Sequence, residues 1–367
     1  ESTAILKRTK FGGGKQGLAA RLGLGRQYIY ELPWYMIIGA PGSGKTTALL
    51  NAGLRFPLNE RLGKDALAGV GGTRNCDWWF TDQAVLLDTA GRYTTQDSDA
   101  GADQAAWRGF LALLKRHRPR RPINGVLVAI SVQDLLEANA AQRDNHARKI
   151  RARVQELHEQ IGIRFPIYVL ITKTDLLAGF SEFFAETAKE EREQVWGLTF
   201  VYNEQAAEAN PLPELPTQLQ ALERRLNERL FDRLQTERDP QKRAAIYLMP
   251  QQWSALRTTL SEFLNEVFAP SRFEERPLVR GVYFTSGTQE GMPIDRLVGG
   301  LARALGLGGR ASPAQRATGR SYFLTRLLQE VVFAESGLAG TNLKWERRRS
   351  LLQWGAIAAA IVVSIAM

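Results

Sequence analysis

Residues 34–47 read WYMIIGAPGSGKTT: five apolar residues, a glycine-rich loop, then the start of a helix-forming run. Trp34–Ile38 has no polar alternation, the pattern of a strand buried on both faces. Gly39-Ala40-Pro41-Gly42-Ser43-Gly44-Lys45-Thr46 satisfies G-x-x-x-x-G-K-[ST] at every fixed position. In such a loop, glycines let backbone N–H groups converge on phosphate oxygens. The helix predicted over Thr46–Ala52, with Thr47 in its first turn, adds its positive N-terminal end. Lys45 is positioned to reach β- and γ-phosphates, and the Thr46 hydroxyl to ligate Mg²⁺.

Three further stretches fall into place around this loop. Val85–Leu87 reads as a strand, followed by Asp88-Thr89-Ala90-Gly91. An aspartate at that strand end can hold Mg²⁺ through water, and Gly91 can present its N–H to a γ-phosphate; D-x-x-G alone also describes an ordinary turn. Thr73, in Gly71-Gly72-Thr73-Arg74, reads as a switch-loop threonine closing over Mg²⁺ and γ-phosphate. The metal set is therefore Thr46, Thr73 and Asp88. After the apolar run Ile167–Ile171 comes Thr172-Lys173-Thr174-Asp175, an [NT]-K-x-D string. A carboxylate there accepts from guanine N1–H and its exocyclic amine while the lysine stem packs across the base. Ser286-Gly287, after Val282–Phe284, could offer backbone N–H groups to the guanine O6. The cofactor expectation is GTP or ATP with Mg²⁺, with guanine preference resting on Asp175. Arg92 occupies the place where many guanine-nucleotide switches carry a water-orienting glutamine. Arginine cannot act as a general base, so intrinsic hydrolysis is expected to be slow. Arg92 either offsets phosphoryl charge or pairs with Asp97, Asp99 or Asp103, and it is not assigned a catalytic role; the catalytic group is unknown.

Strands at Cys76–Phe80 and Val126–Ile130, helices at Gln104–His117 and Asn139–Ile161, and a last strand at Val279–Phe284 complete an alternating pattern. It predicts an α/β fold of the P-loop NTPase type, small-GTPase-like, with a mostly parallel sheet. Thr81-Asp82-Gln83 is short enough to make Cys76–Phe80 and Val85–Leu87 a hairpin. The predicted organisation is a basic glycine-rich arm (1–30), the NTPase core (31–180), a helical insertion (181–277) and completion of the core (278–310). A helical juxtamembrane region (311–350) and the start of a transmembrane helix (351–367) follow. Leucine stripes place helices at Pro213–Leu234 and Trp253–Phe268 in the insertion. Pro293–Leu305 reads as a helix, Arg310–Arg320 as a polar loop, and Tyr322–Phe333 as an amphipathic helix leading toward the membrane.

The chain has 367 residues, with 48 Lys+Arg against 38 Asp+Glu, a net charge of +10. A 44% hydrophobic and 23% charged composition excludes wholesale disorder, and a single cysteine, Cys76, excludes an internal disulfide framework. No RNP, zinc-finger or basic-zipper pattern accompanies the charge, so nucleic acid is not an expected partner. His117, His146 and His158 are scattered on charged helices and read as surface residues; Arg116, Arg118, Arg120 and Arg121 read as a solvated loop. Lys344, Arg347, Arg348 and Arg349 precede Leu351–Met367, which is uncharged throughout. A bilayer span takes about 20 apolar residues, so this reads as most of one with its basic flank on the cytoplasmic side. Both ends read as cuts in a longer chain.

The strings GAPGSGKTTALLNAGLRFPL, GVGGTRNCDWWF, AVLLDTAGRY, FPIYVLITKTDLLAGFSEFF, RGVYFTSGTQEG and SYFLTRLLQEVVFAESGL resemble the cytoplasmic region of the TssM/IcmF family. These are inner-membrane components of bacterial type VI secretion systems. The resemblance implies a region between the second and third transmembrane segments, with Leu351–Met367 opening the third and a helical hairpin before Glu1. It implies a TssL-like inner-membrane partner, cytoplasmic baseplate proteins, a TssJ lipoprotein reached through a periplasmic part, and a homo-oligomer in the assembled complex. It also implies that Gly39–Thr46 is the family's Walker A loop, a loop some relatives have lost. Two readings stay open: a nucleotide-driven switch, and a docking scaffold in which nucleotide is dispensable.

Overall fold

In the computed structural model, which describes residues 30–57, 76–96, 100–202, 211–271, 274–287 and 321–342, Trp34–Ile38 (β1) is buried along its whole length. Successive side chains of a strand point to opposite faces, and here both faces are covered. Trp34, Met36 and Ile38 enter one core, and Tyr35 and Ile37 enter a second on the other side.

β1 pairs in parallel with Val85–Thr89 (β3) and Gly125–Ser131 (β4). β4 continues in parallel to Pro166–Thr172 (β5), and β5 to Leu278–Phe284 (β7). Two antiparallel strands close the edges: Cys76–Phe80 (β2) on β3, and Gly197–Thr199 (β6) on β7. The order is β2-β3-β1-β4-β5-β7-β6. The β2–β3 hairpin turns at Thr81, whose hydroxyl accepts from the backbone N–H groups of Gln83 and Ala84. The expected mixed α/β architecture with a mostly parallel sheet is thus present.

Helix α1 (Lys45–Leu50) lies on the second face. The first face carries α2 (Ala100–His117), α3 (Ala140–Ile161), α4 (Leu215–Thr236) and α5 (Pro240–Phe268). Asn139 and Gln142 form a capping box at the start of α3, and Gly162, at φ 69°, ends it. α5 begins 13 residues before the predicted Trp253. Asp239 caps it by accepting from Gln241 N, and Pro240 fits the first helical turn. Pro250 lies inside α5 and forfeits one backbone bond there, yet Ile246, Met249 and Trp253 are buried around it and hold the helix together.

Three sequence expectations change in detail. The amphipathic helix expected over Tyr322–Phe333 is helical over 325–332, mostly as a π-helical turn packed on the domain. Leu327–Val332 is a π-helical turn whose Leu327, Leu328 and Val332, with Leu324 and Phe333, cover the second face beside α1. A polar network fastens it: Tyr35 Oη donates to Val332 O (2.6 Å), and Tyr168 Oη donates to Glu335 (2.9 Å). Arg280 also grips Glu335 with Nε and Nη2 (2.9 and 2.6 Å). Arg118 is not in a solvated loop. It is 1% exposed, with its guanidinium carbon 4.4 Å from the Trp34 ring centre and 4.9 Å from that of Tyr30. Burial lowers its pKa to about 9, and the two aromatic faces supply favourable contact for the cation.

His158, read as a surface residue, is buried and stacked on Phe165 (4.2 Å, 8° between planes). Its Nδ1–H donates to Val154 O, and burial pulls its pKa down to about 4. Because the unfolded chain takes up this proton near pH 6.5 and the folded chain only near 4, stability falls as pH drops through that window. His158→Phe keeps a ring on Phe165 and removes the titration. Between pH 7 and 4.5 the parent is expected to lose about 2–3 kcal/mol more than the variant in urea unfolding. Equal losses would show that His158 does not govern the acid sensitivity.

Among the described residues, no helix is long and apolar enough to cross a membrane. Leu351–Met367, Lys344–Arg349, Thr73, Pro293–Leu305, Arg310–Arg320 and the arm up to residue 29 lie outside the described residues.

Candidate functional site

The carboxyl ends of parallel strands leave a crevice where α/β proteins bind ligands, and the motif residues converge there. The glycine loop leaves β1 at Gly39, whose φ of 155° and tight surroundings leave no room for a side chain. A Cβ there would stand 2.4 Å from Ala129 O on β4. Gly39 N–H is held by Thr94 Oγ1 (3.1 Å). Pro41 and Gly42 form the exposed crest, Ser43 is fully buried, and Gly44 leads into α1.

Lys45, 6% exposed, folds back to donate to the carbonyls of Gly39 and Ala40 (both 2.9 Å). Burial pushes its pKa down to about 8, against the pull of the Asp88 and Asp134 carboxylates. Thr46 Oγ1 donates to Asp88 Oδ2 at 2.5 Å, so two of the three residues assigned to Mg²⁺ are in contact. Asp88 is fully buried at the end of β3, opposite Ile37 in the β1 register. Gly91 packs directly on the glycine loop: a Cβ would come within 2.3 Å of Pro41 N. Close backbone approach, and not a special φ, is what glycine provides at this position.

The Thr172–Asp175 string, expected to read a base, lies at the end of β5, two strands from β1. Thr172, grouped in sequence with Lys173 and Asp175 for base reading, donates its hydroxyl to Ser43 O (2.6 Å) and braces the glycine loop. Lys173 takes a left-handed conformation (φ 57°) and places Nζ 3.4 Å from Gln133 Oε1. Thr174 donates N–H and hydroxyl to Thr285 O (3.2 and 3.0 Å), joining the string to the segment after β7. There Ser286 Oγ donates to Asp175 Oδ1 at 2.6 Å. Asn51 at the end of α1 donates Nδ2 to both Gly287 O and Thr47 O (2.9 and 3.0 Å). All the assigned residues but Thr73 are therefore tied into one contiguous set.

One carboxylate carries no motif and was not anticipated. Asp134 sits in the short helix Val132–Glu137 directly after β4, where Ser131 Oγ accepts from Gln133 N (3.1 Å). Burial raises its pKa, opposed by His146, Lys173 and Lys45. It thus adds negative charge within reach of both site lysines. The only signal for it in sequence is a carboxylate just past a buried parallel strand, which describes many helix starts.

For a hard cation the arrangement offers oxygen donors, the Thr46 hydroxyl and the Asp88 carboxylate, a chemistry that suits Mg²⁺. Among the described residues no group of three or more His, Cys, Asp or Glu side chains could hold a metal alone. The residues fit an ion completed by phosphate oxygens and water. Arg92 pairs with Asp103 (Nε–Oδ1 3.3 Å), one of the partners read from sequence.

A sequence model of the IcmF-related N-terminal domain matches residues 100–360. The type VI secretion system component TssM1 of Pseudomonas aeruginosa is 57% identical over all 367 residues of this chain, which spans 32% of that protein's length. Among solved structures, an S. thermophilus NFeoB mutant bound to GDP is 14% identical, with a TM-score of 0.24 over 65% of this chain and 96% of its own. A GDP-bound mutant of the S. thermophilus FeoB G-domain is 12% identical with the same TM-score, covering 64% of this chain and 98% of its own. The chain belongs to the TssM/IcmF family through its IcmF-related N-terminal domain.

Proposed function

We propose that this region is a nucleotide-binding switch domain within a membrane-anchored scaffold of a type VI secretion apparatus. The observation that carries the nucleotide part is the gathering of Lys45, the Thr46–Asp88 pair and the Asp175–Ser286 pair at the carboxyl ends of β1, β3, β5 and β7, joined through Thr172 on Ser43 O. Lys45 and the loop N–H groups would hold β- and γ-phosphates, and Thr46 and Asp88 would hold Mg²⁺, which offsets phosphate charge when bound. Asp175, held in place by Ser286, would accept from the N1–H and amine of guanine; Lys173 would lie along the base. Nucleotide exchange would bias the domain between two conformations during assembly or firing. Kinship with a type VI secretion component supports the setting. It favours placement at the inner membrane with this region in the cytoplasm, in homo-oligomeric assemblies with a TssL-like protein, baseplate proteins and, through a periplasmic part, TssJ.

Binding of GTP and ATP with Mg²⁺, followed by calorimetry, tests the reading; absence of binding by either sinks the switch. Asp175→Asn removes one acceptor and adds a donor facing the base. It is expected to weaken GTP roughly 10- to 100-fold while leaving ATP within a few-fold. Equal losses for both nucleotides would remove the guanine assignment.

A second reading is favoured by Arg92. The side chain in the water-orienting position is committed to Asp103, so nothing at that position places a nucleophile. The domain then serves as a docking scaffold that binds nucleotide without turning it over, or does without it. On this reading Lys45→Ala still co-purifies with the TssL-like partner from membranes; loss of that association would count against it.

A further inference from the structure

The end of the domain opposite the glycine loop, at the amino ends of the parallel strands, gathers both chain exits and a set of cations. Lys115 at the C-terminus of α2 donates Nζ to Gln160 O at the C-terminus of α3 (2.9 Å). Gly340 N–H donates to Arg164 O just past α3 (2.8 Å), and Asn342 N–H donates to Arg120 O (2.9 Å). The Arg120 N–H in turn donates to Tyr30 Oη (3.2 Å). The first and last described segments therefore meet on the loop that follows α2. Lys115, Arg116, Arg120, Arg121 and Arg164 lie on this pole, with Arg116 and Arg120 exposed. Glu31 and Glu159 are the acidic residues adjoining these segments, so the local balance is positive. The buried Arg118, stacked between Tyr30 and Trp34, fixes the loop that carries Arg120 and Arg121.

We infer that this basic pole docks on the surface of an anionic phospholipid bilayer. The choice of partner follows from what comes next in the chain. Only eight residues separate Asn342 from the uncharged, apolar Leu351–Met367, and they include Lys344, Arg347, Arg348 and Arg349. Fully extended, that stretch reaches at most about 30 Å. If Leu351–Met367 enters a bilayer, the membrane-entry reading on which this inference rests, the pole cannot stand further from the headgroups than that. The exposed arginines need only approach within about 8–10 Å to feel the lipid charge at physiological salt. The glycine loop, on the opposite end of the sheet, then faces away from the membrane.

Vesicle flotation of the full chain tests this, with pure phosphatidylcholine compared to phosphatidylcholine containing about a third phosphatidylglycerol. Uptake by pure phosphatidylcholine reports the apolar segment and tests the membrane-entry reading separately. The additional uptake with phosphatidylglycerol reports the basic surface. Arg116→Glu/Arg120→Glu alters only exposed side chains and is expected to cut that increment roughly 10-fold or more, with both proteins losing it at high salt. Arg116→Gln/Arg120→Gln should fall between parent and reversal. A reversal variant that melts like the parent and keeps the whole increment overturns the inference, and leaves the phosphatidylglycerol-dependent uptake to the Lys344–Arg349 cluster.

Discussion

Lys45→Ala is expected to weaken binding of both GTP and ATP roughly a hundredfold. The ammonium supplies the one mobile positive charge of the glycine loop, and a charge-assisted hydrogen bond to phosphate contributes about 1.5–3 kcal/mol. In the free site Lys45 donates to Gly39 O and Ala40 O, so the charge is stored on its own loop, ready to be redirected. A proton signature accompanies the effect. With a free-site pKa of about 8, part of the Lys45 population is neutral above that pH, and a bound phosphate draws the proton back on. Binding at pH 8.5 should therefore take up a fraction of a proton, read from calorimetry in two buffers of different ionisation enthalpy. The uptake should vanish in Lys45→Ala. The same linkage makes the free protein gain stability through Lys45 as pH rises from about 8 toward 10.5, because there the unfolded chain holds a proton that the folded chain has released. Unchanged affinity in Lys45→Ala would mean that the loop does not hold phosphate.

The second large effect lies on the far face of the sheet. Glu335→Ala is expected to destabilise the domain by about 3–5 kcal/mol, because it strands a buried guanidinium. Arg280 is 5% exposed and meets Glu335 through two nitrogens, while its third, Nη1, donates to Phe200 O. Tyr168 Oη loses its acceptor in the same substitution. Urea unfolding of Glu335→Ala beside Glu330→Ala separates this from helix propensity. Glu330 pairs with Arg326 only loosely (3.7 Å) and in solvent, so its removal should cost less than about 0.5 kcal/mol. Similar small losses in both would mean that the network does not hold the 321–342 segment down.

What sequence reveals here follows burial on both faces. β1 is apolar throughout, β4 and β5 are apolar except at their end residues, and β7 is apolar but for Arg280 and Gly281, so their positions are legible to within a residue or two. β6 is three residues long, Gly197–Thr199, and owes its existence to pairing with β7, which no local pattern encodes. The first half of α5 was hidden because Pro250 reads as a stop while tertiary burial carries the helix through it. Arg118 and His158 were misjudged for one reason: each is polar in a charged stretch, and only the aromatic rings that arrive from Tyr30, Trp34 and Phe165 make burial tolerable. At the site, fixed spacing picks out the candidate residues but not their contacts. Nothing in the string T-K-x-D announces that its first hydroxyl would brace Ser43 O, and Asp134 belongs to no string at all.

The 321–342 segment also sets a timetable for biosynthesis. Tyr35 waits for an acceptor 297 residues downstream, and Tyr168 and Arg280 wait for Glu335. At a translation rate of about 5–20 residues per second, roughly 15–60 s pass between the emergence of β1 and that of its covering turn. Throughout that interval the described cover of the apolar second face, over Ile37, Leu127 and Leu170, is only the short helix α1 and the residues just after it. A nascent domain of this design is a natural client for holdase chaperones until its last segment leaves the ribosome.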